Sequence, residues 1–329
     1  MKSRTTLKKI STNLNLSIST VSRALKNHPD ISEDTKQKVK ELASLLEYEP
    51  NTYAINLRTN SSKILGLIVP KISNNFYDSF IEAAEQKARA FGFSLMILQS
   101  GDDPLVEAEN IRLCKANRVA GLIISIVPGS LTEPFKKLED AGIPFIFFDK
   151  VPDSDIYNKV CLADKEAGIM AANAIISFNK KKVLALFGNK ELSITQKRCK
   201  AFTDTFEQES PTTKLFTRFC DNSDEAMSAT LEFCSSKSID HVFAMSDEIL
   251  VGVMKALYQL KVQIPGEVSV SAISNGFLPT IFNPTVTHVE TSGYELGKIT
   301  VQRLIDYLGG QTFTRSIILP SRMVEGKSM

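Results

Sequence analysis

Two successive series of short apolar segments alternate with helical segments from residue 63 onward, and this alternation constrains the fold more than any other feature. The first series contains KILGLIVP, FSLMILQS, VAGLIISIV and IPFIFFDK, and the second contains KKVLALFG, KLFTRF, HVFAMS and VSVSAIS. Continuous apolar runs rich in β-branched and aromatic residues are typical of buried parallel strands joined by helices. The sequence therefore predicts two doubly wound α/β subdomains with a cleft between them.

Polar residues follow several of these predicted strands. Ligands of open α/β sheets bind beyond the carboxyl ends of the strands. Carboxylates, amides and hydroxyls beside aromatic rings suit sugar hydroxyls, which need donors and acceptors over an apolar ring face. The candidates for a ligand site are Asn74, Phe76, Tyr77, Ser125, Asp149, Asn222, Asp247 and Asn275. Several of them could instead cap the next helix, and for Asp247 capping is the favoured interpretation.

The first 62 residues differ in charge from the rest of the chain. They hold ten Lys or Arg against six Asp or Glu, and up to Asn27 there are six basic residues and no acidic one. The remaining residues carry a net charge of −2, although the whole chain is at +2. A small basic module on a near-neutral body is typical of a nucleic-acid-binding head. A solvated surface explains the charge alone equally well.

Hydrophobic periodicity in this basic segment predicts three short helices. Apolar residues recur at helical spacing over 7–14, again around Val21, and in a third helix that starts at Ser32. Thr6 and Ser17 or Ser19 are the predicted N-caps of the first two helices, and Asn15 tolerates the left-handed turn between them. The pattern predicts a helix-turn-helix module.

The second helix of such a module enters the major groove of DNA. Its predicted outer face carries Ile18, Ser19 and Arg23, and Arg23 is the best candidate for a bidentate guanine contact. Short hydrogen-bonding groups around the helix suit phosphate oxygens, which position a protein without reading sequence. These candidates are Thr6, Ser17, Thr20, Ser22 and Asn27. For each of them, helix capping or solvation is the alternative role.

Several motifs of this segment resemble one known family. The elements STVSRALKN, YEPN, LRT and LGLIVP occur in the order and spacing of the lactose-repressor (LacI/GalR) family of bacterial transcriptional regulators, and the likeness continues over almost the whole chain. The resemblance implies a helix-turn-helix head at 1–49, a hinge helix at 50–62, and an effector-binding and dimerisation domain at 63–329.

The family's hinge helices pair across a two-fold axis and insert a leucine from each subunit into the minor groove. The resemblance assigns this wedge to Leu57 and further hinge contacts to Asn51 and Ala54. In the body, the resemblance implies that the side chain of Arg198 extends into the cleft and binds the effector. An N-subdomain of 63–161 and 290–319 and a C-subdomain of 162–289 and 320–329 would be joined by three crossings.

The chain departs from the family pattern at four places. Many members have Asn-Asp where this chain has Ser246-Asp247, and Asp-Asp where it has Ser274-Asn275. A family glycine is replaced by Ala201, and a common glutamine by Thr291. These departures leave the fold prediction intact, but they prevent the identity of an effector from being carried over.

The expected partners are a pseudo-palindromic DNA operator, a small effector of the sugar type, and a second copy of the chain. No heptad-bearing tail follows the last predicted strand, which favours a dimer over a tetramer built by such a tail. The N-terminus lacks an apolar signal segment and no run is long enough to span a membrane, so a cytoplasmic location is expected.

An enzyme and a transport-type sugar-binding protein are the rival functions. The body lacks the glycine loops GxGxxG and GxxxxGK[ST] and the GxSxG elbow, and the three histidines of the chain are scattered. The basic head argues against a transport protein. Five widely spaced cysteines without a CxxC argue against a disulfide framework and a zinc site, so no cofactor or metal is expected.

Overall fold

The computed structural model describes residues 5–48, 62–236, 239–311 and 314–329. The chain divides into two compact units, Met1–Ser61 and Ser62–Met329, which we call the head and the body. The predicted hinge residues Asn51, Ala54 and Leu57 lie outside the described residues.

Three helices make up the described part of the head: α1 (Leu7–Leu14), α2 (Ile18–Leu25) and α3 (Glu33–Leu45). The hydroxyls of Thr6, Ser17 and Ser32 each accept a hydrogen bond from the backbone N–H three residues later, so each helix begins at its predicted cap. Asn15 has φ 52° and turns the chain out of α1. The buried apolar residues that hold the helices together are Ile10, Val21, Ala24, Val39 and Ala43.

The body contains two six-stranded sheets. The first has the order β11–β5–β4–β3–β1–β2 and is parallel throughout. The second has the order β12–β10–β9–β8–β6–β7. The strands are β1 (Ile64–Val69), β2 (Ser94–Gln99), β3 (Gly121–Ile124), β4 (Phe145–Phe148), β5 (Lys159–Leu162), β6 (Lys182–Phe187), β7 (Lys214–Phe219), β8 (His241–Ala244), β9 (Ser269–Ser274), β10 (Thr287–Glu290), β11 (Ser316–Leu319) and β12 (Arg322–Val324).

Helices connect these strands, and the predicted strand–helix alternation is confirmed. They pack in pairs, α4 on α12, α7 on α8, and α9 on α10. The helices of the described body are α4 (Asn75–Ala90), α5 (Pro104–Ala116), α6 (Glu133–Asp140), α7 (Asp164–Ser177), α8 (Ser193–Glu209), α9 (Ser223–Ser236), α10 (Asp247–Gln259), α11 (Leu278–Ile281) and α12 (Gly293–Leu308). No helix of the described residues has the length and apolar character that a membrane crossing requires.

The chain passes between the two sheets three times, after β5, after β10 and after β11. One strand departs from the expected parallel arrangement, because β12 runs antiparallel to β10. The cause is the short connection: two residues separate β11 from β12. A connection of that length cannot carry the chain back to the amino ends of the second sheet, so β12 must run from the cleft outward.

Stacked aromatic rings fill the core of each subdomain. In the N-subdomain, Phe80 stacks on Phe148 with ring centroids 3.9 Å apart. In the C-subdomain, Phe202 stacks on Phe243 at 4.5 Å, and Phe187 contacts both. The cysteines in the described structure are free and at least half-buried. Both cores are therefore built from the apolar strands and the inner faces of the helices that the sequence indicates.

A buried histidine in the core of the C-subdomain makes the free energy of unfolding depend on pH. His241 is fully buried, its two ring nitrogens lie 2.8 Å from the hydroxyls of Ser269 and Ser271, and burial lowers its pKa to about 3. Below the ordinary pKa of about 6.5 the unfolded chain binds a proton that the folded chain excludes, so stability falls as pH falls. This group alone is expected to cost about 1.4 kcal/mol of unfolding free energy per pH unit between pH 6 and pH 4.

Urea denaturation of the full chain at pH 6, 5 and 4 measures this slope. His241→Gln is expected to flatten it. An equal slope in wild type and His241→Gln would contradict the prediction.

Candidate functional site

The exposed face of α2 presents the residues predicted to meet DNA. Ile18 is 47% exposed, and Ser19 and Arg23 are exposed beside it, whereas Val21 and Ala24 are fully buried on the opposite face. The side chain of Arg23 is 58% exposed, and Nη1 lies 3.9 Å from an Asp30 carboxylate oxygen. An exposed guanidinium at this distance from its partner remains able to form a bidentate contact with a base edge.

Hydroxyl groups cluster at the N-terminus of α2. Ser17 Oγ lies 2.7 Å from Ser19 Oγ and 2.8 Å from Thr20 Oγ1, and it also caps the helix. An N-terminus with exposed hydroxyls and backbone N–H groups suits a phosphate oxygen.

The other predicted phosphate contacts lie around this helix. Ser22 is half-buried, and Asn27 follows the helix with φ 55°. Thr6 caps α1 and is exposed, so capping and phosphate contact remain compatible roles for it.

The body contains a cavity of about 360 Å³ at the carboxyl ends of both sheets, where the cleft was predicted. Both subdomains supply its walls. Among the candidate residues it is lined by Asn74, Phe76, Tyr77, Asp149, Arg198, Asp247 and Asn275.

Two candidates do not line this cavity. Ser125 is fully buried behind Tyr77, with the two hydroxyl oxygens 3.0 Å apart. Asn222 caps α9, because its amide oxygen accepts hydrogen bonds from the backbone N–H groups of Asp224 and Glu225. Its neighbour Asp221 reaches the cavity instead. The prediction that Asn222 contacts the ligand is therefore replaced by a capping role.

Asp149 and Tyr77 form a buried pair in the N-subdomain wall. The phenol of Tyr77 donates to Asp149 Oδ2 at 2.7 Å. Burial, followed by the negative charge of Asp149, raises the pKa of Tyr77 well above its ordinary value, so the phenol keeps its proton. Asp149 follows β4 with φ 55°, a left-handed conformation that turns its carboxylate to the cavity. Only one of its four lone-pair positions is used by Tyr77.

Arg198 of α8 is buried and held from two sides. Its Nε donates to Asp164 Oδ1 at 2.9 Å, and Nη1 donates to the carbonyl oxygen of Met245 at 3.2 Å. Asp164 begins α7, which approaches α8 closely at Gly168, where an added Cβ would lie 2.6 Å from the Arg198 carbonyl oxygen. Burial raises the pKa of Asp164 to about 6, and the charge of Arg198 opposes that rise. The remaining guanidinium donors are available at the cavity wall.

Asp247 is a wall residue rather than a helix cap, contrary to the favoured sequence interpretation. Ser246 is the N-cap of α10 and accepts from Ile249 N. Asp247 is buried, and its carboxylate accepts hydrogen bonds from the hydroxyl of Ser274 and the backbone N–H of Asn275. Two adjacent residues can each cap the helix, and the packing of α10 against β9 selects the serine.

Asn275 links the two subdomains. Its Nδ2 donates to the carbonyl oxygen of Asn75 at 3.1 Å and to Ser79 Oγ at 3.0 Å, both on α4. Its Oδ1 accepts from Gly293 N at 2.8 Å. These bonds occupy most of its side-chain hydrogen-bonding capacity. Asn275 therefore positions the cavity walls as well as lining them.

Other cavity-lining residues also follow strand ends, although they are not among the predicted candidates. Asp102 follows β2 and Asn189 follows β6, so the preference of ligands for strand ends also points to them. Thr195 lies three residues before Arg198 on the same face of α8. Of the positions that depart from the family pattern, Ser246, Ser274, Asn275 and Thr291 line the cavity, and Ala201 does not.

Comparisons with known proteins agree with this arrangement. Residues 6–51 match the family model of bacterial regulatory proteins of the lacI family, and residues 65–312 match a periplasmic binding protein domain. The ribose operon repressor of Halalkalibacterium halodurans is 24% identical over 303 residues, covering 92% of this chain and 89% of that protein. The transcriptional repressor PurR of Vibrio vulnificus is 25% identical over 308 residues, covering 92% and 91%.

Among solved structures, the lac repressor dimer bound to operator and an anti-inducer superposes with a TM-score of 0.88 at 20% identity, covering 99% of both chains. A likeness at that identity establishes the shared fold. These relatives are named as repressors rather than enzymes. The head, the two-subdomain body and both family matches together show that the chain belongs to the lacI family of bacterial transcriptional regulators.

Proposed function

We propose that this protein binds a pseudo-palindromic operator as a homodimer, and that a small sugar-type effector in the cavity of the body controls its operator affinity. The observation that carries the effector half of the proposal is the composition of the cavity wall. Acceptors at Asp149 and Asp247 and donors at Arg198 converge there from different elements, beside the ring of Phe76. Hydroxyl groups on an apolar ring satisfy such a mixed wall.

The DNA half of the proposal rests on the exposed face of α2. Arg23 would read a base in each half-site, with Ile18 and Ser19 beside it in the major groove. Thr6, Ser17, Thr20, Ser22 and Asn27 would contact phosphates or support those that do.

We also propose that residues 50–62 act as a hinge between the helix-turn-helix domain at 1–49 and the effector-binding domain at 63–329. In this hinge Leu57 would be inserted into the minor groove, assisted by Asn51 and Ala54.

Effector control requires that the cavity exist in two arrangements with different effector affinity. The three connections between the subdomains suit a limited closure around a ligand. One relative is named ribose operon repressor, and one similar structure is a lac repressor dimer bound to operator. These names support a sugar and a second copy of the chain as the first partners to test here. By linkage, operator DNA must change effector affinity by the same factor as the effector changes operator affinity.

The test is a thermal-shift screen of the full chain against free pentoses and hexoses, followed by operator binding with and without each hit. Operator fragments are selected from random duplex DNA with the purified protein. We expect at least one sugar to raise the melting temperature and to change operator affinity about 5- to 150-fold. A sugar that binds without any change in DNA affinity would favour a sugar-binding protein without a role in transcription.

A further inference from the structure

The charged residues of the cavity wall constrain the charge that a sugar-type effector can carry. This inference rests on the function proposed above. The described wall carries five carboxylates against two cations, a formal excess of three negative charges. The carboxylates belong to Asp102, Asp149, Asp221, Asp247 and Glu248, and the cations to Lys150 and Arg198.

Both wall cations already have carboxylate partners. Arg198 Nε donates to Asp164 at 2.9 Å, and this pair is buried, with side chains 5% and 8% exposed. Lys150 Nζ lies 3.7 Å from Asp102. An anionic ligand would have to compete with these partners, since a buried charge is stabilised only when it is paired.

Among the described residues, neither buried wall carboxylate has a cationic side-chain nitrogen within ion-pair distance, although the charge of Arg198 acts on Asp247. The hydrogen bonds to Asp149 come from Tyr77, and those to Asp247 from Ser274 and Asn275, which are all neutral donors. Both carboxylates retain free lone pairs and can only accept hydrogen bonds. A ligand in contact with them must therefore supply donors, which a hydroxyl does and a phosphate or carboxylate anion does not.

A buried hydroxyl in the same wall independently indicates a hydrogen-bonding ligand. Thr195 is fully buried, and its Oγ1 has no hydrogen-bond partner among the described residues. Buried polar groups are rarely left unsatisfied. The cavity volume of about 360 Å³ is at the lower end of the range for small-molecule sites, which favours a compact ligand.

We propose that the cavity selects a hydroxyl-rich ligand of monosaccharide size that carries no negative charge, and rejects the phosphorylated or carboxylated form of the same compound. The charges of the buried carboxylates Asp149 and Asp247 act at short range, where electrostatic repulsion is weakly screened. The same wall accepts a neutral sugar, because each hydroxyl donates to a carboxylate and accepts from Arg198.

Matched pairs of compounds test the proposal on the full wild-type chain. The pairs are ribose and ribose 5-phosphate, fructose and fructose 1-phosphate, and glucose with glucose 6-phosphate and glucuronate, measured by thermal shift and then by titration calorimetry. We expect the free sugar of the binding pair to have at least a tenfold lower Kd than its phosphate or acid form. A phosphate or acid that binds as tightly as the free sugar would overturn the proposal.

Asp149→Asn supplies a second measurement. Asparagine retains the acceptor for Tyr77 and tolerates the left-handed backbone at this position, so the change removes the charge with little change of shape. The ratio of phosphate Kd to free-sugar Kd is expected to fall about tenfold, and Asp140→Asn, at the exposed end of α6, should leave it unchanged. An unchanged ratio in Asp149→Asn would contradict the role of this carboxylate. If no compound of any pair binds, the sugar-effector function itself is wrong, and this inference falls with it.

Discussion

Arg198→Ala is expected to lower the free energy of unfolding of the body by about 3–5 kcal/mol and to abolish the response to the effector. The variant leaves the Asp164 carboxylate buried, at 8% side-chain exposure, without its cation. It also removes the donor that holds the Met245 carbonyl oxygen at 3.2 Å and the guanidinium that faces the cavity. Urea denaturation at pH 7 measures the first effect, and calorimetric titration with the sugar that binds wild type measures the second.

The pH dependence of this loss identifies its cause. The pKa of Asp164 is about 6 with Arg198 present, and it must rise further without it. A raised folded pKa means that the folded chain takes up a proton which the unfolded chain, with a pKa near 3.9, does not. The variant should therefore regain stability as pH falls, so that its deficit relative to wild type is smaller at pH 5 than at pH 7.

Two further variants separate this mechanism from general damage. Lys197→Ala removes an exposed cation one position earlier on the same helix and should change stability by less than about 0.5 kcal/mol. The double variant Arg198→Ala, Asp164→Asn should recover part of the stability, because the carboxylate that lost its cation is then replaced by a neutral amide. If the double variant is as unstable as Arg198→Ala alone, the uncompensated carboxylate is not the cause of the loss.

Arg23→Ala is expected to remove most of the preference for the operator while leaving weak, salt-sensitive binding to DNA. A bidentate contact to guanine discriminates by about 1–3 kcal/mol, and a dimer makes two, so about 2–6 kcal/mol of specificity is at stake. Binding of phosphates by the rest of the head is independent of sequence and persists. Competition of operator against random duplex DNA at fixed salt measures the ratio.

Lys26→Ala is the matched control, because Lys26 is an exposed cation directly after α2 and one turn from Arg23. Its loss should weaken binding to operator and random DNA about equally and reduce the salt dependence by about one phosphate contact. Retained operator preference in Arg23→Ala, or a selective loss of it in Lys26→Ala, would show that Arg23 does not read the sequence.

Local sequence predicted the elements of this protein because the interactions that form them are local. Thr6, Ser17 and Ser32 cap their helices through hydrogen bonds to residues three positions later, so their roles depend on little beyond the neighbouring sequence. Apolar periodicity likewise predicted the strands and helices of both subdomains. Most of the candidate residues that were predicted because they follow strand ends do line the cavity. The family resemblance singled out Arg198.

The roles of individual wall residues depended on contacts between distant parts of the chain. Asp247 and Asn222 both stand at helix starts, and only the packing around α10 and α9 decided that the first meets Ser274 and the second is a cap. Asn275 contacts Asn75, 200 positions earlier in the sequence.

The amino-acid sequence by itself thus determined the helix-turn-helix head, the two α/β subdomains and the edge of the sheets at which the cavity lies. Only the tertiary structure decided that Arg198 pairs with Asp164, that Asp247 faces the cavity and that Asn275 joins its walls. The physical reason is the range over which the interactions act along the chain. Caps and apolar periodicity act over a few residues, whereas the partner of a buried polar group is set by how helices and sheets pack on one another.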